Sequence, residues 1–411
     1  MMEATKESDG NPAPGRSFEA IKQDLSQSLL ATKKPTDFII TLIYCIPVLA
    51  PIRICTAANV FQRLAQSDNP LSIGELATTF SSSSTENVND VDEKRDFLVR
   101  MLRAVSAIGL IDETSAFTYQ ANELTRTLAD PGFAAGFELV FDNVMGPGST
   151  MAQMLPHHQA NGWMASPTAK DGPWQRARNT VGTSTFDSWI KDDPIQLTRL
   201  NALMQRMQRD RPHWSEWFPA DALFGRSAET ASSEQVFFVD VGGGRGHDIT
   251  ALAKKYEGKS VRMVLQDLPS VIEEGEEVRK RDGKSLDSRI ALSTQDFFQP
   301  QVVKGAQVYY MHKIMHDWPD RDCVKILSHL KDAMSPSSRI LVNDVVLPNK
   351  SCPLLHTAFD IDMLLLHTGK ERDEEMWERL VGKVGGLKVQ KFWHPPAGEG
   401  EGIIEIVTTS S

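Results

Sequence analysis

The sequence predicts an α/β protein whose C-terminal half is a parallel β-sheet wrapped by helices and whose N-terminal half is mainly helical. Three observations lead to this prediction. The chain has 411 residues, more than one hydrophobic core usually supports, so two domains are expected. Short β-branched runs alternate with helical patterns in the C-terminal half, which is typical of βαβ units. With 41% hydrophobic and 24% charged residues, the composition is that of an ordinary soluble globular protein.

Changes in this pattern predict four regions. They are a disordered tail over residues 1–20, a winged-helix-like dimerisation domain over 21–130, a helical connecting region that lines the substrate over 131–224, and an α/β catalytic domain over 225–411.

The N-terminal half carries the pattern of three helices followed by a hairpin. Helices are predicted near 57–64, 71–77 and 97–108, with a loop over the Ser-rich run 81–92 and a hairpin over 110–119. That order is a winged-helix arrangement, which in many proteins binds DNA. The formal net charge of -10 and the lack of a basic cluster on the third helix argue against nucleic acid, so a role in packing or dimerisation is expected.

The most apolar stretch, Phe38–Ile54, contains Pro47, Pro51 and Arg53. It is shorter than the roughly 20 residues that span a bilayer, which favours a buried or interfacial helix over a membrane anchor. The polar N-terminus lacks the features of a secretory signal, and the four cysteines are not spaced as a metal or redox motif. A cytoplasmic protein without a metal site is therefore expected.

The C-terminal half contains five predicted strands and three predicted helices. The strands are 236–241, 261–265, 307–311, 339–345 and 403–407, and the helices are 247–256, 323–334 and 374–384. Strand 236–241 runs directly into Gly242-Gly243-Gly244-Arg245-Gly246. Glycines allow a ligand to approach the backbone, and the following helix N-terminus offers free N–H groups.

An acidic residue ends each of the first two strands of this half. Asp240 precedes the glycine turn, and Asp267 precedes Leu268-Pro269. A carboxylate at the second position can accept hydrogen bonds from both ribose hydroxyls of a nucleoside ligand, although Asp267 is equally suited to cap a helix. Together these features predict a nucleoside-binding site. NAD would fit such a site as well, so these features alone do not identify the cofactor.

Further residues resemble the caffeate-type O-methyltransferases. Asp240-Val241-Gly242-Gly243-Gly244 is similar to that family's first S-adenosylmethionine motif, Asp267-Leu268-Pro269 to its ribose-binding motif, and Asp296-Phe297 to its adenine-contacting segment. His316-Asp317-Trp318 resembles its His-Asp-Trp, whose histidine is the catalytic base. The resemblance implies a Rossmann-like class I methyltransferase domain, an S-adenosylmethionine cofactor, a small phenolic or enolic substrate and a homodimer.

The resemblance also implies roles for residues outside these motifs. Asp344 stands before Leu347-Pro348, and Glu374 follows Gly369-Lys370-Glu371-Arg372, so both are expected to flank the ring of His316. The same likeness implies that Asn201 and Met204 belong to the substrate wall. His157 and His158 are further candidates for that wall, although a surface loop suits them equally well.

One position departs from the family pattern, because His312 stands where lysine is usual in the plant members, and Lys313 is its candidate replacement. Methyl transfer with His316 as general base is the favoured reaction, since a neutral imidazole is suited to remove a phenolic proton. A second reaction stays open. Some fungal relatives keep the fold and the cofactor but catalyse pericyclic dehydration or cycloaddition of pyridones without methyl transfer, and His157 or His158 would then polarise the substrate.

Overall fold

A computed structural model describes residues 16–29, 34–80, 88–161, 169–209, 211–221, 235–396 and 401–409. The chain divides into two compact units. The first contains the residues up to Asp142 together with Pro194–Arg209, and the second contains Asn143–Asp193 together with the residues from 210 onward.

The first unit is mainly helical. Its helices are α1 (Phe18–Leu29), α2 (Pro35–Cys45), α3 (Leu49–Ala57), α4 (Val60–Ala65), α5 (Ile73–Ala77), α6 (Val88–Ala107), α7 (Glu123–Leu128), the first part of α8 (Pro131–Asn161) and, after two helices of the second unit, α11 (Ile195–Arg209). Three short strands, β1 (Leu71–Ser72), β2 (Asp112–Ser115) and β3 (Thr118–Gln120), form an antiparallel sheet in the order β1-β3-β2.

Two local predictions in this unit are wrong. The predicted loop over 81–92 becomes helical from Val88 onward, because Asn and Asp residues are favourable in the first turns of a helix, while 81–87 lie outside the described residues. The helix predicted near 57–64 is interrupted by Asn59, which adopts a left-handed φ of 57° and separates α3 from α4.

The apolar stretch of the N-terminal half begins with α2, which buries none of its residues within this chain. The continuous helical segment Pro35–Ala57, with a mean hydropathy of 2.2, is long and apolar enough to cross a membrane by length and composition alone. Its second half is nevertheless part of the first unit, because Ile52 and Cys55 are buried in the core and Arg53 pairs with Glu138 and Asp142 at 3.0 and 2.8 Å.

The second unit is built on one large sheet. Its strands are β4 (Val236–Val241), β5 (Arg262–Asp267), β6 (Ile290–Thr294), β7 (Val308–His312), β8 (Arg339–Leu347), β9 (Arg372–Asp373), β10 (Leu387–Trp393) and β11 (Glu401–Thr408). The order is β10-β11-β8-β7-β4-β5-β6, with β9 beside β8. The strands β6, β5, β4, β7 and β8 run parallel, whereas β11 and β10 are antiparallel to their neighbours.

The second unit also contains helices, and a 3₁₀ turn follows β7. The helices are the remainder of α8, α9 (Pro173–Arg178), α10 (Thr185–Asp192), α12 (Trp214–Trp217), α13 (His247–Lys255), α14 (Pro269–Arg281), α15 (Asp320–Lys331), α16 (Leu354–His367) and α17 (Glu374–Gly382), and the turn is Met315–Asp317. Apolar side chains pack on both faces of the sheet, which is why the central strands are almost continuously hydrophobic.

The prediction of a Rossmann-like α/β domain is confirmed, and each of the five predicted strands is present within a few residues of its expected bounds. The sequence did not predict β6 and β10. Both are edge strands with mostly exposed or half-buried side chains, so neither has the hydrophobic run by which the central strands were found.

Candidate active site

The glycine turn lies between β4 and α13, where the parallel strand order reverses. Gly242, Gly244 and Gly246 have φ angles of 72°, 57° and 80°, which favour glycine at each position. A Cβ at Gly242 would lie 2.7 Å from Ile314, whereas a Cβ at Gly244 would meet nothing within 4 Å. The turn therefore leaves open space beside its backbone at the carboxyl ends of the strands, the usual ligand position in such sheets.

Two acidic side chains border this turn. Asp267 accepts hydrogen bonds from the backbone N–H groups of Gly244 and Leu268 at 2.8 and 2.7 Å, and burial raises its pKa. Asp240 is 1% exposed, and its Oδ2 has no hydrogen-bond partner among the described residues. Burial and the neighbouring Asp248 hold the pKa of Asp240 well above its usual range. These residues fit a nucleoside ligand that brings hydrogen-bond donors.

The predicted adenine segment follows β6 at the same edge of the sheet. Asp296 accepts a hydrogen bond from the N–H of Phe298 at 2.8 Å, which fixes the turn. The ring of Phe297 contacts that of Trp318 with centroids 5.9 Å apart, and its edge lies 3.6 Å from the Cβ position of Gly242. Asp296 and Phe297 therefore stand near the glycine turn, and their contact with a cofactor stays a prediction.

The segment Gly369–Arg372 docks against the 3₁₀ turn that carries His316. A Cβ at Gly369 would overlap the carbonyl oxygen of His316, so only glycine allows this close approach. The N–H of Lys370 donates to that same oxygen at 2.9 Å. The buried guanidinium of Arg372 donates to the carbonyls of Met315 and Trp318, both at 3.0 Å. This motif holds the turn in place.

His316 is fixed by one carboxylate of that segment. Its Nδ1 lies 2.8 Å from Oε1 of Glu371, and because an ionised carboxylate only accepts, Nδ1 carries the proton. Nε2 is then the nitrogen that can exchange a proton with a ligand, the arrangement that carboxylate-oriented catalytic histidines use. Burial acts to lower the pKa of His316, but Glu371 and Asp317 outweigh it and raise the pKa to about 10.

Further carboxyl groups surround this imidazole. Oδ1 of Asp317 lies 3.6 Å from Nε2 of His316, and burial raises the pKa of Asp317 to about 7 against the opposing effect of His316. Asp344, on β8, is 1% exposed, and both of its oxygens are unpartnered in the part of the chain that the structure describes. Burial raises the pKa of Asp344 to about 6, and His316 acts in the opposite direction.

The expectation that Glu374 flanks His316 is wrong. Glu374 opens α17 at the surface, where its Oε1 pairs with His394 at 3.0 Å. The carboxylate at the imidazole is Glu371, three residues earlier, because the chain turns away from His316 when Arg372 joins β9 and Asp373 caps α17. Sequence reasoning placed the right motif at this site but assigned the wrong acidic residue within it.

His312 takes part in a buried charge network beside the glycine turn. Its Nδ1 lies 2.8 Å from Asp248, whose other oxygen is 3.1 Å from His213. Burial lowers the pKa of His312, but Asp248 and Glu401 outweigh it and raise the pKa to about 10. The raised pKa favours the charged form of His312, and Lys313 pairs with Glu401 at 3.1 Å.

The remaining predicted substrate residues lie on α8 and α11. His157 and His158 fall on α8, but their side chains lie outside the described part of the structure. Asn201 and Met204 are half-buried on α11 in the first unit, and their place in a substrate wall stays a prediction. Among the residues that the structure describes, no group of three or more His, Cys, Asp or Glu side chains has the arrangement of a metal site.

An aromatic cluster packs beside the 3₁₀ turn in the second unit. The ring of Phe186 stacks on that of His367 with centroids 4.6 Å apart, and it lies 6.4 Å from the ring of Trp318. Burial and His316 lower the pKa of His367 to about 3, so this second imidazole is neutral and serves as an aromatic side chain.

The fold and this site define a class of enzyme, one that binds a nucleoside cofactor at the strand ends and holds an oriented imidazole beside it. A sequence profile of the O-methyltransferase domain matches residues 219–386. The O-methyltransferase asqD of Emericella nidulans is 32% identical over 381 residues, which cover 92% of this chain and 90% of the relative.

Solved structures also resemble this chain in fold. The complex of LepI with S-adenosylmethionine superposes with a TM-score of 0.78 at 26% identity, over 95% of this chain and 94% of that one. A structure of a pericyclic reaction enzyme matches with the same TM-score, identity and coverage. The chain belongs to the S-adenosylmethionine-dependent O-methyltransferases, so the predicted family, enzyme class and cofactor are confirmed.

Proposed function

We propose that this enzyme transfers a methyl group to the hydroxyl of a small phenolic or enolic secondary metabolite, with His316 as general base. The observation that carries the proposal is the 2.8 Å contact between Nδ1 of His316 and Glu371, which orients the ring so that Nε2 is the nitrogen that takes the hydroxyl proton. The backbone of the Gly242–Gly246 turn and the carboxylate of Asp267 would hold the cofactor. When bound, S-adenosylmethionine supplies an electrophilic methyl group.

The protein's own residues account for the removal of the proton. The carboxylates that raise the pKa of His316 make it a stronger base than an ordinary imidazole, and its neutral form is the one that accepts the hydroxyl proton. Glu371 fixes the orientation of the ring and stabilises the imidazolium that forms. Asp344 adds a second negative charge nearby whenever it is ionised, which favours the same charged state.

A mass-spectrometric assay tests this proposal. Purified protein is incubated with S-adenosylmethionine and a panel of phenols and enolic pyridones, and each product is compared with its acceptor. We expect a product heavier by one methyl group and an equal amount of S-adenosylhomocysteine. His316→Gln should abolish both, while His394→Gln, an exposed histidine at the surface, serves as the matched control and should leave both unchanged.

A pericyclic reaction with the cofactor unconsumed is the second candidate function. One finding favours it, because the structure of a pericyclic reaction enzyme matches this chain over 95% of its length with a TM-score of 0.78. The same assay separates the two functions. A dehydrated or isomerised product without S-adenosylhomocysteine would reject methyl transfer and support the pericyclic reaction.

We also propose that the chain forms a homodimer through α2. This helix has no buried residue and exposes large apolar side chains, among them Phe38, Ile40 and Ile43. The longer helical segment to which it belongs is long enough to cross a bilayer, but the second half of that segment is packed into the core of the first unit. A second copy of the chain would cover α2. Sedimentation should show a dimer that Ile43→Asp dissociates and that Val302→Asp, an equally exposed position of the second unit, leaves intact. A monomeric wild type would reject this proposal.

We also propose a winged-helix fold for the N-terminal domain, the four domain limits predicted from the sequence, and a cytoplasmic location. The three-stranded sheet β1-β3-β2 beside α4, α5 and α6 supports a winged-helix arrangement, and the boundaries 1–20, 21–130, 131–224 and 225–411 remain our proposed domain limits. All four cysteines are free thiols, which supports a reducing cytoplasmic location.

A further inference from the structure

Asp362, on α16, is an acidic residue that none of the motifs above includes. The residue is half-buried, and its Oδ1 is enclosed without a hydrogen-bond partner from any described part of the chain. Burial raises the pKa of Asp362 to about 6, and His316 acts in the opposite direction. A carboxylate in such a place is costly unless a donor satisfies it.

The other aspartates near α16 have evident structural roles, which Asp362 lacks. Asp360 accepts a hydrogen bond from the N–H of Glu371 at 2.9 Å, and Asp373 caps α17. Asp320 pairs with Arg372 and Lys383. Residues two apart on a helix face different directions, so Asp362 does not share the contact of Asp360. Among the described residues, Oδ1 of Asp362 has no hydrogen-bond partner that would give it such a role.

The position of Asp362 is set by the same docking that holds the base. The N–H of Gly369 donates to the carbonyl of Met363 at 3.2 Å, so the end of α16 leads directly into the glycine that packs on His316. Asp362 interacts electrostatically with His316 and Asp317, whereas Asp240, Asp248 and Asp267 interact with one another beside the glycine turn. Asp362 therefore belongs to the surroundings of the base rather than to those of the cofactor.

The surroundings of His316 carry more acceptors than donors. Glu371 and Asp344 are 2% and 1% exposed, and they contribute one and two oxygens without partners among the described residues. Asp362 adds another. A ligand bound here would be favoured if it brought N–H or O–H donors, and the hydroxyl that His316 deprotonates satisfies only one of these acceptors.

We infer that Asp362 is a specificity residue that accepts a hydrogen bond from an N–H group of the methyl acceptor. The preferred acceptors are then phenols or enols that carry a ring N–H in addition to the reacting hydroxyl, a narrower class than phenols in general. This inference rests on the proposed function, because it assumes that the acceptor binds beside His316. It assigns Asp362 a contact with the substrate and no part in the proton transfer.

Two isosteric probes test the inference directly. In 4-hydroxy-2-quinolone the ring carries an N–H where 4-hydroxycoumarin carries an oxygen, and both present an enolic hydroxyl. Their affinities are measured by calorimetry with the full chain saturated with S-adenosylhomocysteine. A hydrogen bond to a carboxylate should make the wild type bind the quinolone about 10- to 100-fold more tightly than the coumarin.

Substitutions assign this preference to the residue. Asp362→Leu should reduce the ratio of the two affinities to about one, and Asp362→Asn, which keeps a neutral acceptor, should give an intermediate ratio. Asp332→Asn, at an exposed carboxylate, removes the same charge and should keep the wild-type ratio. A purely structural role for Asp362 predicts instead that both affinities fall together, with the ratio unchanged.

Equal affinities of the wild type for the two probes, or no measurable binding of either, would overturn the inference, as would an unchanged ratio in Asp362→Leu. Because the measurement is of binding, it does not depend on whether a methyl group is transferred. Failure of the proposed function would appear separately, as an absence of methylated product in the acceptor panel.

Discussion

Glu371→Gln is the substitution that examines the charge state of the base most closely. The amide is nearly isosteric with the carboxylate but cannot stabilise an imidazolium by charge. Glu371 accepts from Nδ1 of His316 at 2.8 Å and is the largest of the influences that raise the pKa of His316 to about 10. Its removal should therefore lower that pKa toward the ordinary value of 6.5.

The size of this effect follows from the contact. A hydrogen bond to a charged group contributes about 1.5–3 kcal/mol, and 1.36 kcal/mol corresponds to one pKa unit, so the pKa of His316 should fall by about 1–2 units. The wild-type kcat/KM should rise with pH until His316 loses its proton, because only the neutral imidazole accepts a proton. In Glu371→Gln the rise of kcat/KM should occur about 1–2 pH units lower. The plateau value of kcat/KM should be at least about tenfold below that of the wild type, because the imidazole ring is less well oriented.

The assay is the pH dependence of kcat/KM, which reports ionisations of the free enzyme. Deprotonation of the acceptor alone would produce a similar rise, but its midpoint would not depend on the enzyme variant. Glu374→Gln is the matched control, because Glu374 contacts His394 and not His316, and its profile should coincide with that of the wild type. An unchanged midpoint in Glu371→Gln would refute the reasoning.

Two further substitutions test the cofactor turn and the buried carboxylate. Gly242→Ala should weaken S-adenosylmethionine binding at least about tenfold in calorimetry, because the new Cβ would lie 2.7 Å from Ile314. Gly258→Ala is the control. Gly258 has a φ of 82° and nothing within 4 Å of a Cβ, so this variant shares only the backbone strain and should bind the cofactor normally. Asp344→Asn should stabilise the protein at pH 8 by up to about 3 kcal/mol, because the folded-state pKa of about 6 exceeds the ordinary 3.8 and ionisation in the wild type opposes folding. This gain in stability should disappear below about pH 4, where Asp344 is protonated in both the folded and the unfolded protein. Thermal melts at pH 8 and below about pH 4 measure it, and a variant no more stable than the wild type at pH 8 would contradict the prediction.

The parts of the site that are contiguous in sequence were predictable. The turn Gly242–Gly246 and Asp267 follow predicted strands directly, so their positions at one edge of the sheet followed from the strand pattern. The partner of His316 was not predictable in the same way, because Glu371 lies 55 residues further along the chain. Its choice over Glu374 depends on the docking of Gly369 against the His316 carbonyl, a contact that no local pattern specifies.

The N-terminal half was less accessible to prediction for a related physical reason. Asn59 breaks one predicted helix by adopting a left-handed conformation, and Val88 begins another within a run that looked like a loop. Asn and Asp favour both helix starts and turns, so their presence does not decide between the two. The role that we infer for Asp362 could not be predicted from the sequence, since it depends on an oxygen that lacks a hydrogen-bond partner among the described residues of the second unit.

The central claim is that His316 is the base of a methyl transfer, and single-turnover kinetics with an accepted phenol test it most directly. S-adenosylhomocysteine formation would be followed at saturating S-adenosylmethionine in the wild type and in His316→Gln, with cofactor affinity measured on both proteins by calorimetry. The account predicts that cofactor affinity is retained while the rate falls by about 10²–10⁴-fold, the contribution of a positioned general base. An undiminished rate in His316→Gln, or turnover of the acceptor without S-adenosylhomocysteine, would contradict it.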